Sequence, residues 1–202
     1  MATHGRQPLR NLFDDSPTPH IAHPPRTHHR QYYVATDGSF RDSGGGLGVV
    51  IERRSGKRVE RLALADRMPD NNVAEYRALH LGLDVLAARV PADARVGVLV
   101  DHDELAANVN TAALRARQPD WPRRSPSIPH GSRHHWRGIE ARISGFRELR
   151  AARIESAQNP AHPLANTPER YHHVNDEAPD IRFPNERNEA PPPSRADRHA
   201  SD

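Results

Sequence analysis

Three carboxylates stand where a carboxylate is costly unless it is used. Asp37 closes the run Tyr32-Tyr33-Val34-Ala35-Thr36, Glu75 precedes Leu79 by four residues, and Asp101 closes Val96-Gly97-Val98-Leu99-Val100. Each has an ordinary structural reading. Asp37-Gly38 is a common turn dipeptide, Asn72-Val73-Ala74-Glu75 fits a capping box, and Asp101 or Asp103 can cap a following helix. Placement adds a second reading. Asp37 is in phase with Tyr33 and Ala35 on a strand, and Glu75 shares a helical face with the apolar stripe. Two strand-end carboxylates and one on the first turn of a helix packed over them can meet at one point, although 38 and 26 residues separate them. Such a cluster repels itself without a cation. Oxygen ligands suit the hard ions Mg²⁺ and Mn²⁺, and a pair of such ions activates water and stabilises the leaving oxygen of a phosphodiester.

The elements that must position these groups are legible from periodicity. Tyr32 to Ala35 is β-prone and runs into Asp37-Gly38-Ser39; Leu47 to Ile51 reads as a second strand, and Ser55-Gly56 turns into a third around Val59 to Leu64. Pro69-Asp70-Asn71-Asn72 starts a helix carrying Glu75, Leu79, Leu83, Leu86 and Val90 at helical spacing, which Pro91 ends. Val96 to Val100 has the unbroken apolar character of a strand buried on both faces, and a helical pattern follows through Leu105, Val109 and Leu114. Arg117 to His134 carries four prolines and reads as an irregular loop; Trp136, Ile139, Ile143, Phe146 and Leu149 mark an amphipathic helix beyond it. Ala152 to Ser156 is expected as a fifth strand and Pro163 to about Tyr171 as a short last helix.

Composition bounds the rest. The 202 residues suffice for one domain with tails, and 35% hydrophobic content with 19 prolines places the ordered part between the ends. We expect disordered tails over 1–30 and 176–202 and a folded domain over 31–175. Lys+Arg is 29 against Asp+Glu 26, and Lys57 is the only lysine, so the positive charge is nearly all guanidinium. That suits phosphate partners, although an arginine bias also follows from genome composition. The absence of cysteine excludes disulfides, thiolate metal sites and cysteine nucleophiles. No apolar stretch has the length of a bilayer span or the pattern of a secretory signal, so a cytoplasmic protein is expected.

Thr36-Asp37-Gly38-Ser39, Asn71-Asn72-Val73-Ala74-Glu75-Tyr76-Arg77-Ala78-Leu79 and the strand ending at Asp101 resemble the three acidic motifs of type 1 ribonuclease H, in its compact archaeal-like branch. The asparagine-rich stretch is the most specific piece, and the resemblance covers about residues 31–170. It implies an α/β, ribonuclease H-like fold: a five-stranded mixed sheet, three antiparallel strands followed by alternating helices and strands, flanked by helices. It also implies two divalent ions and hydrolysis of RNA paired to DNA, leaving a 3′-hydroxyl and a 5′-phosphate. On this mapping Asp37, Glu75 and Asp101 hold the ions, Asp37 bridges them, and Gly38, Ser39, Asn71 and Asn72 meet the hybrid backbone. The family's compact members imply a monomer. The 2′-hydroxyl distinguishes the RNA strand.

The sequence departs from the pattern twice. The third motif reads Asp101-His102-Asp103, where the family has an aspartate followed by a small residue, and Asp103 is the alternative ligand to Asp101. Asn159-Pro160-Ala161-His162-Pro163-Leu164-Ala165-Asn166 resembles the last motif, with His162 in place of a fourth aspartate. The implied ligand set is Asp37, Glu75, Asp101 and His162. Imidazole is softer than carboxylate, so a preference for Mn²⁺ over Mg²⁺ is expected.

His28-His29, His134-His135 and His172-His173 are adjacent pairs without zinc-site spacing. Arg123, Arg124, Arg133 and Arg137, interleaved with Trp121 and Trp136, offer a backbone-binding surface or, as the plainer reading, a solvated loop and a core tryptophan. Three other functions fit the same residues: a module that holds hybrid or double-stranded RNA without cutting it, an interaction protein contacting partners through its tails, and a nuclease of the same fold with another substrate.

Overall fold

The computed structural model describes residues 27–42, 44–118 and 125–177. Three strands come first: β1 (Tyr32–Ser39), β2 (Gly45–Arg53) and β3 (Arg58–Asp66). They are followed by α1 (Asn71–Arg89), β4 (Arg95–Val100), α2 (Asp103–Arg115), α3 (Arg133–Ser144), β5 (Glu148–Arg153) and α4 (His162–Asn166). The strands form one five-stranded mixed sheet in the order β3-β2-β1-β4-β5. β1 pairs antiparallel with β2, and β2 with β3; β4 runs parallel to β1, and β5 parallel to β4.

Alternation along the strands sends side chains to two cores. Val34, Val49, Ile51, Val96 and Val98 join Leu79, Leu83, Leu86, Leu105, Val109, Ile139 and Ile143 beneath α1, α2 and α3. Tyr33, Ala35, Val50 and Leu99 face the other way, onto Ala161, Leu164 and Val174. The sheet is therefore covered on both sides. The unbroken apolar run of β4 follows from this, because its residues 96–100 are buried on both faces.

Three expectations need correction. The apolar spacing of residues 136–149 crosses a chain reversal: α3 stops at Ser144, Phe146 lies in the turn and Leu149 belongs to β5. All five residues face the same core, so periodicity does not register the break. The fifth strand is Glu148–Arg153 rather than 152–156. The last helix stops at Asn166, because Pro168 forces Thr167 out of helical geometry (φ −137°), and a separate single turn follows at Pro168–Arg170.

The packed region also starts before Gln31. Thr27 is buried and accepts a hydrogen bond from the Tyr33 hydroxyl (3.0 Å), and Arg30 pairs with Glu148 (2.8 Å). Of the tails expected over 1–30 and 176–202, residues 1–26 and 178–202 lie outside the described residues, as do Trp121, Arg123 and Arg124. Trp136 is a core residue, with its ring edge-on to Tyr76 at 6.1 Å, so it offers no stacking surface; Arg133 and Arg137 are exposed on α3.

Candidate metal centre

The parallel pairing of β1 with β4 brings two of the carboxylates together. Ala35 lies opposite Leu99, and Asp37 and Asp101 each come two residues later, at the same level on the same face. α4 packs on that face and delivers His162. One ligand atom each from Asp37, Asp101 and His162 lies within 4.8 Å of the others. His162 Nδ1 is 3.3 Å from Asp37 Oδ2.

Glu75 approaches from the opposite layer, near enough for the Asp37 and Asp101 charges to act on it but outside the group of three whose ligand atoms lie within 4.8 Å of one another. The approach depends on Gly38, because a Cβ there would sit 2.2 Å from the carbonyl carbon of Ala74 and 2.5 Å from the amide nitrogen of Glu75. α1 therefore rests directly on the β1 backbone, and the nearby Gly38 amide favours the charged form of the Glu75 carboxylate. The capping reading of Glu75 does not hold. The N-cap is Asp70, whose Oδ1 accepts from the Val73 N–H at 2.8 Å, and Glu75 lies four residues into the helix, buried.

Asp37 and Gly38 sit inside β1, not in a turn, and α2 is capped by His102 instead of an aspartate. Asp103 projects outward, with a side chain 85% exposed and 3.5 Å from Arg153, whereas Asp101 accepts a hydrogen bond from the Ser156 hydroxyl at 2.7 Å. Asp101 is thus the aspartate in the cluster.

Several supporting residues carry no acidic signature. Asn159 is buried; its amide donates to the Thr36 carbonyl (2.9 Å) while its oxygen accepts from the Ala161 N–H (3.0 Å), pinning the turn before His162 to β1. The Asn166 amide nitrogen is 2.8 Å from His162 Nε2, and its oxygen accepts from Ser39 Oγ (3.0 Å) and Arg41 (3.1 Å). Asn159 and Asn166 belong to the last sequence motif, which was the available signal; nothing in the sequence pointed to Ser156. Of the expected groove residues, Asn71 and Asn72 are exposed, whereas Gly38 and Ser39 are buried against Ala74, Glu75 and Asn166.

No family model and no curated protein matches the sequence. Solved structures do. The N-terminal ribonuclease H domain of a Mycobacterium tuberculosis protein matches at 23% identity and a TM-score of 0.51, over 66% of this chain and 95% of that one. Ribonuclease H1 from the halophilic archaeon Halobacterium salinarum matches at 21% and 0.50, over 69% and 98%. A ribonuclease H1 isolated from compost matches at 20% and 0.51, over 74% and 98%. The fold is that of ribonuclease H.

Within this ribonuclease H fold the cluster is compatible with a divalent cation. Burial, then the Asp101 carboxylate, pushes Asp37 from its ordinary 3.8 up to about 8. Burial, then the Asp37 and Asp101 charges, pushes Glu75 from 4.5 up to about 9. Glu75 Oε2 is buried without a hydrogen-bond partner. A cation answers both conditions, since it neutralises the mutual repulsion and gives the orphaned oxygen a ligand role. The histidine pairs form no comparable group among the described residues.

Proposed function

We propose that this chain is a metal-dependent endonuclease that hydrolyses the RNA strand of RNA/DNA hybrids. The observation that carries the reading is the convergence of Asp37, Asp101 and His162 within 4.8 Å, with a buried, unpartnered Glu75 oxygen on a carboxylate that feels the Asp37 and Asp101 charges. Asp37, Glu75, Asp101 and His162 would hold two divalent ions. The ions supply, when bound, the Lewis acidity that activates water and stabilises the leaving oxygen. Asn71 and Asn72, exposed at the start of α1, meet the backbone of the hybrid, and Gly38 and Ser39 support the groove from beneath. A histidine nitrogen in the ligand set favours Mn²⁺ over Mg²⁺. The resemblance supports a protein acting as a monomer, and the cytoplasm is its expected compartment. Among the described residues no helix is long and apolar enough to cross a membrane.

The test is cleavage of a labelled RNA/DNA hybrid beside matched double-stranded DNA and single-stranded RNA, with either ion, using wild type and Asp37→Asn. Cutting confined to the RNA strand of the hybrid and lost in Asp37→Asn is the expected result. The close His162–Asp37 contact, with His162 where the resemblance implies a fourth aspartate, favours one rival: a module that binds hybrid without cutting. Binding without cleavage in either ion would establish that rival.

A further inference from the structure

Asn72 is exposed on the first turn of α1, three residues before Glu75 and on its side of the helix. It takes no part in capping, which Asp70 performs. Its oxygen lies 3.1 Å from His102 Nε2, on the junction between β4 and α2. The Leu105 backbone N–H donates to His102 Nδ1 at 3.1 Å, so Nδ1 is an acceptor. A ring with a single proton then carries it on Nε2, and the atom it faces on Asn72 must be the oxygen. The ring is further held edge-on against the fully buried Tyr76, with centroids 6.5 Å apart.

With its oxygen held toward His102 and one lone pair engaged there, Asn72 has both N–H donors of its amide free for a group in the groove. We propose that His102 is a positioning residue that fixes the Asn72 amide as a donor toward the sugar edge of the RNA strand, where the 2′-hydroxyl oxygen accepts. The role rests on the hybrid-nuclease reading above and extends it to a residue outside the ligand set. Without the clamp the amide rotates and offers oxygen or nitrogen alike, so discrimination between ribose and deoxyribose weakens. A small residue at position 102 would cap α2 but not span to Asn72. His102 does both.

The experiment uses the full chain and measures anisotropy binding of a labelled RNA/DNA hybrid and of the matched DNA duplex in chelator, alongside KM and kcat for hybrid cleavage in Mn²⁺. His102→Ser retains a good helix cap, so its thermal midpoint should stay near that of wild type. The ratio of hybrid to duplex affinity should fall about 3- to 10-fold, the effect of one lost hydrogen bond, with KM rising and kcat unchanged. Asn72→Ala should lose a similar factor, and the double variant no more than either single one. His102→Gln, which can both cap and donate, should recover most of the ratio. A wild type that prefers hybrid while His102→Ser keeps the full ratio, or losses that add in the double variant, overturns the role of His102 alone. A wild type that binds hybrid and duplex equally overturns the hybrid-nuclease reading and this role together.

Discussion

Asp37 and Asp101 owe their adjacency to strand pairing, but their chemistry depends on what surrounds them. Replacing a buried cluster carboxylate should cost more than the about 10- to 100-fold that changes to outer hydrogen-bond partners cost. Asp37→Asn is expected to abolish cleavage, whereas Ser156→Ala and Asn166→Ala should fall within that smaller range, measured as kcat with saturating Mn²⁺. Asp101→Asn and Asp103→Asn separate two neighbouring aspartates cleanly. The first should remove metal binding in a calorimetric titration. The second, on a side chain turned to solvent and Arg153, should leave it intact. The opposite pattern would move the ligand to Asp103. At His162, comparison with His162→Asp gives the ion preference: the aspartate variant should gain activity in Mg²⁺ relative to Mn²⁺, and an unchanged ratio would remove imidazole as the cause.

α4 is only five residues long and cannot hold its place by intrinsic helix stability. It is seated by close backbone contact and by Asn159. Gly48 on β2 lies opposite Asp37, and a Cβ there would meet the Ala161 carbonyl oxygen at 2.2 Å. Gly48→Ala must therefore lift α4 from the sheet and carry His162 away from Asp37. A folded variant with weakened Mn²⁺ affinity is the expected outcome, read by circular dichroism and calorimetry; undiminished affinity would show that α4 does not position the site. Asn159→Ala strands the Thr36 carbonyl and the Ala161 N–H, two buried groups worth about 1–3 kcal/mol each. Chemical denaturation of that variant should show the loss directly.

For the molecule as a whole, the cost of an ion-free cluster appears as a dependence of stability on pH. Asp37 and Glu75, raised to about 8 and about 9, hold protons in the folded state that the unfolded chain releases near their ordinary values of 3.8 and 4.5. The folded state binds more protons across that window, so stability falls as pH rises from about 4 towards 8–9. In chelator the thermal midpoint should decline between pH 5 and pH 9, and Asp37→Asn should flatten the slope. Ion binding displaces those protons, so stabilisation by Mn²⁺ should grow over the same range. At about a hundred times Kd the shift should be about 5–10 °C. A midpoint independent of pH in chelator would show that the carboxylates are not buried together. Both outer strands are also closed by asparagine. Asn110 on α2 exchanges two hydrogen bonds of 2.9 Å with the Ala151 backbone, and Asn175 pairs likewise with Ala63 (2.8 and 2.9 Å). Each covers an edge that would otherwise invite another chain.

The sequence alone determined the order of the early elements, the carboxylates late in β1 and just after β4, and the helix carrying Glu75. These follow from local signals, namely alternation, helical spacing and proline or asparagine punctuation, which act over a few residues. It could not locate the end of α3, because residues on either side of a chain reversal bury themselves in one core and keep a helical rhythm. It left Asp101 and Asp103 open, since neither spacing nor residue type says which way a side chain turns at a strand end. Tertiary structure decided that through the Ala35–Leu99 register and the contacts of Ser156 and Arg153. It also supplied what no short-range pattern encodes: the approach of α1 over Gly38, the seating of α4 by Asn159, and the bond from His102 to Asn72. Each joins residues distant in sequence, and each is fixed by packing rather than by local preference.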